Sequence, residues 1–379
     1  MRGIFFASHI IINGERMKTL ESYNVPELQP SDCVVNLEEV LSALIRSYSK
    51  LQVYKNVIKT SRMDKRLFLP ALQTKEALAS ATIEGAQITI EDAYDYKMKD
   101  KAPNQHAQEL LNSYDAITYG YTYLQSGQVD ISFFNELHKK LLSGDVRKND
   151  DDTFGLRTKQ NKVKNSITGQ VTYIPPKPEQ VEKLMNNLLA YIDYHTEDYI
   201  ELVRIAIIHA QFESIHPYMD GNGRVGRLFV PLYLYYKKVI PTPYFFISDA
   251  LESEKNRYYK YLSNTRTNGN WKDWILFFLE VVEKQCDKYI QMIQDINALY
   301  EKDLSFFADA FKAERGERLL KLLFKCPVIN SNRMMEKLQL PRNTVLRYLK
   351  VLEDNNILVS DEKGRNATFY YYGLLSLLK

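Results

Sequence analysis

The stretch His216-Pro217-Tyr218-Met219-Asp220-Gly221-Asn222-Gly223-Arg224-Val225-Gly226-Arg227 constrains this chain more than any other. Upstream, Tyr199 to Ile215 carries apolar side chains at helical spacing. Leu202, Ile205, Ala206, His209, Phe212 and Glu213 fall on roughly one face. Pro217 stops that helix, and Val225, Leu228, Phe229 and Leu232 open a second. Two helices must therefore meet at a short turn, with Gly221-Asn222-Gly223 at the start of the second. The first N–H groups of a helix have no partner within it, and the helix dipole favours an anion there. Glycines let the backbone come close to a phosphate. Arg224 and Arg227 are three apart, so both can point to one side of the first turn and clamp a polyphosphate. Asp220 offers hard oxygen for Mg²⁺, and His216 can take a proton at neutral pH.

Taken singly these signals are weak. A histidine after a helix is usually structural, and a Gly-Asn-Gly run is usually only a turn. His209, Glu213 and His216 also stack at i, i+4 and i+7, but this is not the His-Glu-x-x-His spacing of a zinc protease. His209 reads as a core histidine and Glu213 as a helix-end partner.

As a whole the run resembles the signature of the Fic-domain family, in which His-Pro-Phe is followed by an acidic residue, Gly-Asn-Gly-Arg and a second arginine. The one departure is Tyr218 in place of the usual Phe. The resemblance implies transfer of AMP from ATP to a Ser, Thr or Tyr hydroxyl of a target protein. It implies His216 as general base and Asp220 as the Mg²⁺ ligand. Gly221, Asn222, Gly223 and Gly226 would approach the phosphates, with Arg224 and Arg227 at the β/γ end. It further implies a mainly helical core carrying a β-hairpin flap.

A second stretch gains meaning beside the first. Residues 74–85 read as a helix with Gly85 as its C-terminal cap, and they contain Ser80-Ala81-Thr82-Ile83-Glu84-Gly85. This fits the inhibitory-helix motif of Fic proteins, in the class where that helix precedes the core. The resemblance implies that Glu84, with Ser80 one turn before it, pairs with Arg227 and turns it away from the γ-phosphate.

The rest of the chain is expected as follows. Residues 1–100 form an N-terminal helical region, 101–300 the catalytic core and 312–379 a separate domain. Leu37 to Tyr54 reads as an amphipathic helix with Leu41, Leu44, Ile45, Tyr48 and Leu51 apolar. Helices are expected over 106–124, 131–142 and 179–195, and again over 249–264 and 271–299. Tyr258 and Tyr259 fall on the fourth of these. Tyr259 is a candidate for the adenine pocket, with core packing the alternative reading for both. Residues 154–174 change to β-branched residues around a turn and read as a hairpin closed by Pro175-Pro176. In the family such a flap pairs with the target backbone; here it would use Ile167, Thr168, Gly169, Val171, Thr172 and Tyr173.

Helices over 315–324, 332–338 and 342–355, then strands over 357–360 and 367–372, follow the order of a winged helix. Residues 312–379 hold thirteen Lys or Arg against seven Asp or Glu, whereas the whole chain is only +3. Arg342, Asn343, Thr344 and Arg347 sit where a recognition helix meets DNA. The alternative is a protein-docking or dimerising wing.

Composition adds little beyond exclusions. The 45% hydrophobic and 26% charged content suit a globular chain, and three distant cysteines support neither a disulfide frame nor a zinc site. Gly3 to Ile12 is apolar but interrupted by Ser8 and His9, and Met17 is an alternative start. A cytoplasmic protein without a membrane span is expected. Its expected partners are ATP, a target protein, a second copy of itself, and DNA at the C-terminal domain. A reading from another class is also open: a DNA-binding regulator whose core only senses nucleotide.

Overall fold

The computed structural model describes residues 21–61, 63–99, 102–144, 154–164, 169–361 and 367–379, together with the backbone of a two-residue strand pair, β1 (Ile11–Ile12) and β2 (Glu15–Arg16). Helices dominate throughout. α1 (Leu41–Thr60) buries Leu44, Ser47, Leu51, Tyr54 and Ile58 against the core. Leu41 and Ile45, expected on that face, are instead 43% and 57% exposed. The buried stripe runs through a polar residue: Ser47 donates to the carbonyls of Ala43 and Leu44, so its hydroxyl is satisfied in the interior.

α2 (Lys65–Ile83) starts well before the expected helix, because Pro70 lies inside it without ending it. Asp64 caps its start by accepting from Arg66 N–H. Buried Leu67, Phe68 and Leu72 outweigh the one hydrogen bond that Pro70 removes. Its other end closes in a Schellman turn, with Ala86 N–H on Ala81 O, Gly85 N–H on Thr82 O and Gly85 at φ +99°. Glu84 is thereby fixed as the residue that caps the C-terminal end of the helix. α3 (Ile90–Lys99) follows, unforeseen from the sequence. α4 (Gln105–Tyr123) and α5 (Ile131–Leu141) are capped by Asn104 and Asp130.

The expected hairpin consists of β3 (Val163–Lys164) and β4 (Val171–Tyr173), antiparallel with Val163 opposite Tyr173. α6 (Pro178–Asp193) leads to α7 (Glu201–Ile215), every residue of which is buried. The expected one-faced helix is therefore surrounded on all sides, and α8 (Asn222–Tyr236) packs beside it. The helix expected over 249–264 is broken at Glu254 into α9 (Ser248–Ser253) and α10 (Lys255–Asn268).

α11 (Trp271–Phe311) has 41 residues and runs past the expected end at Leu299, roughly 60 Å at 1.5 Å per residue. Its first half walls the core, where Trp274 Nε1 donates to Ala206 O. Its second half carries α12 (Ala313–Lys325), β5 (Val328–Asn330), α13 (Ser331–Leu338), α14 (Arg342–Asp354), β6 (Val359–Ser360), β7 (Thr368–Tyr370) and α15 (Tyr372–Leu375). The three strands form an antiparallel sheet in the order β5-β7-β6. β5 was not expected, being only three residues long. Among the described residues no helix is long and apolar enough to cross a membrane.

Candidate active site

α7 ends where His216 turns into the left-handed region, at φ +51°, with its N–H still bonded to Phe212 O. A side-chain-bearing residue holds that conformation only where its surroundings fix it. Arg157 does so: its Nε donates to His216 O at 2.9 Å, its Nη2 to Pro176 O, and its own N–H to Pro217 O at 2.8 Å. From β4, the Tyr173 hydroxyl donates to Ser214 O. The base of the hairpin is thus built into the end of α7.

Two residues on from His216, Tyr218 is fully buried, and its ring stacks on His138 of α5 with centroids 3.9 Å apart and planes 5° apart. The hydroxyl that distinguishes it from phenylalanine donates to Asn135 Oδ1 at 3.1 Å. Asn222 closes the loop by accepting from Tyr218 N–H and donating to Tyr218 O, both at 2.8 Å. Asn161 adds a second donor to that carbonyl at 2.9 Å. The Asn222 side chain therefore holds the turn, which leaves its backbone N–H as its contribution to an anion site. His138 Nε2 lies 3.0 Å from Asp220 O, tying α5 to the residue expected to hold metal.

Gly221, at φ +78°, precedes the first turn of α8. A Cβ on Gly223 would lie 2.9 Å from both Glu84 Oε1 and Arg227 Nη1, so its bare backbone is what admits the two groups. Arg227 Nη2 donates to Glu84 Oε1 at 2.7 Å and to Ser80 O at 3.2 Å, while its Nε donates to Ser80 Oγ at 3.2 Å. The Arg227 side chain is 1% exposed and that of Glu84 33%. Burial pushes the Glu84 carboxyl up, but the charge and hydrogen bond of Arg227, with Arg224 behind, hold it below its ordinary value. Arg224 is held from another direction: its Nη1 lies 2.8 Å from Glu109 Oε2 of α4 and its Nη2 3.7 Å from Asp220 Oδ2. The two arginines are neighbours in the first turn, yet acids from two different helices hold them.

Burial, with help from Arg157 and Arg266, lowers His216 to about 4 against the pull of the Glu213 backbone. Its imidazole is neutral at physiological pH, the state a proton acceptor needs. Among the described residues no three His, Cys, Asp or Glu form a metal-binding group. A lone carboxylate fits Mg²⁺ nonetheless, since that ion takes one or two protein oxygens and completes its shell with phosphates and water. Asp220 suits this: one oxygen accepts from Gly221 N–H at 2.7 Å and the side chain is 30% exposed beside the α8 start.

Other expected residues divide. Tyr258 is core: it is 1% exposed and its hydroxyl lies 2.9 Å from His209 Nε2. Burial, then the charge of Arg227, lowers His209 to about 3, so it stays neutral. Tyr259, 45% exposed, presents its ring outward beside Tyr258. Gly226 lets α8 meet α7, since a Cβ there would be 2.5 Å from Glu213 Oε1. In the hairpin, Ile167 and Thr168 lie outside the described residues. Gly169 and Thr172 are exposed and Val171 half-buried, whereas Tyr173 turns inward. On α14, Arg342, Asn343 and Arg347 are exposed and Thr344 half-buried. Sequence reading missed Arg157, His138, Asn135, Asn161 and Glu109. Each lies far along the chain from the motif, and no spacing rule connects them to it.

Residues 128–234 match the Fic/DOC family, and residues 41–122 match the family described as Fic/DOC family N-terminal. The chain is similar to the protein adenylyltransferase Fic of Drosophila yakuba, 25% identical over 228 residues, which is 59% of this chain and 41% of that one. It is also similar to the protein of the same name from Nematostella vectensis, 29% identical over 119 residues, or 31% of this chain and 26% of that one. The chain thus spans about two fifths or less of these relatives' lengths. A solved structure of a Fic family protein from Desulfovibrio desulfuricans G20 shares the fold, with TM-score 0.58 and 19% identity over 91% of this chain and 98% of that one.

Proposed function

We propose that this chain, which belongs to the Fic/DOC family, transfers AMP from ATP to a hydroxyl of a target protein and is held in check by Glu84. The observation that carries the reading is His216, fixed by Arg157 at the end of α7, next to the start of α8, where the Asn222 and Gly223 N–H groups have no partner within the helix. His216 takes the proton of the target hydroxyl as its oxygen attacks the α-phosphorus. The bond from that phosphorus to the bridging oxygen of the β-phosphate breaks, and pyrophosphate leaves. The α8 amides and Arg224 orient the phosphates, which is where such transfers gain most of their rate. Mg²⁺ held by Asp220 would neutralise phosphate charge as the leaving group departs. Gly169, Val171 and Thr172 offer strand edge to the target backbone. Tyr259 presents an aromatic face for the adenine.

With Glu84 on Arg227, the γ-phosphate meets an arginine already engaged by another anion. ATP then binds in a geometry that does not present its α-phosphate to the target. The named relatives support AMP transfer in general, while the inhibition follows from the resemblance of residues 80–85 to the inhibitory-helix motif, with the Glu84–Arg227 contact in its support.

A second reading rests on one observation: Arg342, Asn343, Arg347 and Lys350 form an exposed polar row on α14. In that reading the C-terminal elements are a winged helix that binds duplex DNA, and the core only senses nucleotide. Incubation with labelled ATP and Mg²⁺ separates the two. Label on the protein or on a lysate band supports the transferase. No label, even from Glu84→Gly, with a salt-sensitive gel shift on duplex DNA, supports the regulator.

A further inference from the structure

α2 has two working faces. At about 100° per residue, Ser80 and Glu84 point one way, while Lys75, Leu78, Ala79 and Thr82 lie on the opposite side. The second face borders a cavity of about 400 Å³ whose far wall includes Leu378 and Lys379. Lys75 bridges the two sides. It is 9% exposed, and its Nζ donates to Leu378 O at 3.3 Å and to Lys379 O at 2.8 Å. Asp249 Oδ1 is 3.7 Å away, but Asp249 is also 3.2 Å from Lys288. Lys379 in turn reaches Glu91 of α3, 2.7 Å away. Leu374, Leu375 and Leu378 are buried, and the Tyr371 hydroxyl bonds Asp303 of α11. The C-terminal segment is therefore seated on α11 and grips the inhibitory helix from behind.

A buried ammonium is costly unless its donors are met. Two of the oxygens that meet them, on Leu378 and Lys379, belong to the C-terminal segment, and the third partner, Asp249, is shared with Lys288. If that segment leaves, Lys75 keeps only the shared carboxylate, and the simplest route to water is for α2 to shift toward the opened cavity, away from Arg227. We infer that residues 372–379 brace α2 against the candidate active site, and that displacing them weakens the Glu84–Arg227 contact. The C-terminal elements thereby govern the activity of the core. This rests on the reading of Glu84 as the inhibitor.

The test uses the full chain and compares AMP incorporation by wild type, Lys75→Met, Glu84→Gly and the double variant. Lys75→Met keeps the aliphatic stem and removes the donors; incorporation should rise on the order of tenfold, the scale of one charged hydrogen bond. The double variant should be no faster than Glu84→Gly alone. Amide exchange over residues 76–86 should quicken in Lys75→Met while that of α7 stays unchanged. A wild-type rate for Lys75→Met, with Glu84→Gly faster, overturns the brace and leaves the switch standing. If Glu84→Gly is itself no faster, the switch fails and the brace falls with it. Should Lys75→Met not fold, Glu91→Gln cuts the other grip at a helix start, and an unchanged rate there overturns the brace equally.

Discussion

Arg227 and Glu84, 143 residues apart in the chain, meet at 2.7 Å across the start of α8. The pair is asymmetric. Arg227 is enclosed, whereas a third of the Glu84 side chain is open to solvent. An enclosed guanidinium is costly without an anion beside it, and in the proposed reaction the γ-phosphate of ATP would replace Glu84.

Removing Glu84 should therefore activate. We expect Glu84→Gly to incorporate AMP at least about tenfold faster than wild type, since one charged contact is worth roughly that factor or more. Glu84→Gly combined with Arg227→Ala should not show the gain, because the clamp is lost with the competitor. A time course with labelled ATP reads both. A folded, ATP-binding Glu84→Gly no faster than wild type would mean that residues 80–85 serve packing alone.

His216→Ala should stop transfer and spare ATP binding. Loss of a general base costs on the order of 10² to 10⁴ in rate. Because His216 is lowered to about 4, its protonation should slow the Glu84→Gly variant only below about pH 5. A rate that instead falls through pH 6 to 7 in the absence of unfolding would assign the base to another group.

Tyr218→Phe keeps the stack on His138 and leaves only Asn135 without its partner. Stability should drop by about 1 kcal/mol, with incorporation within about twofold of the parent. A large loss of activity at unchanged stability would show that the hydroxyl does more than seat the loop.

Glu213 is buried against Gly226, and burial raises its carboxyl from 4.5 to about 7, with Arg227 opposing. The unfolded carboxyl releases its proton near its ordinary value and the folded one only near 7. Stability from this group is therefore full below about pH 4.5 and declines as pH rises through 7, by up to about 3 kcal/mol. Glu213→Gln should flatten that decline between pH 5 and pH 8 in thermal melts. Parallel curves for wild type and variant would show that the carboxyl is not the source.

Gly316 allows α12 to cross α11. A Cβ there would lie 1.9 Å from Phe307 O and 2.4 Å from Phe307 C, both backbone atoms. Gly316→Ala should cost at least about 3 kcal/mol, because neither helix can give way without losing its packing. Its melt should separate from wild type by several degrees, and an unchanged melting temperature would contradict the packing of the two helices.

The motif loop was readable from the sequence because its signals are local. Proline ends α7, glycines open α8, and residues 216–227 follow one another in the turn that joins them. Helix positions followed from apolar spacing for the same reason, and where they erred the cause was also local. Ser47 hid the true face of α1 by satisfying its own hydroxyl, and the helix expected over 74–85 starts earlier because buried Leu67, Phe68 and Leu72 carry α2 through Pro70. What holds the loop came from elsewhere. Arg157, His138, Asn135 and Asn161 reach it through tertiary hydrogen bonds and stacking, which leave no periodic trace in a chain. Which residues were candidates to bind phosphate, take a proton or hold a cation was legible in the chain alone, because those abilities belong to side-chain chemistry. That Asn222 spends its amide on Tyr218, that Tyr173 turns inward, and that Lys75 ties α2 to Leu378 and Lys379 came only from the packed fold. Each is a choice among partners of equal chemistry, and packing makes that choice by distance.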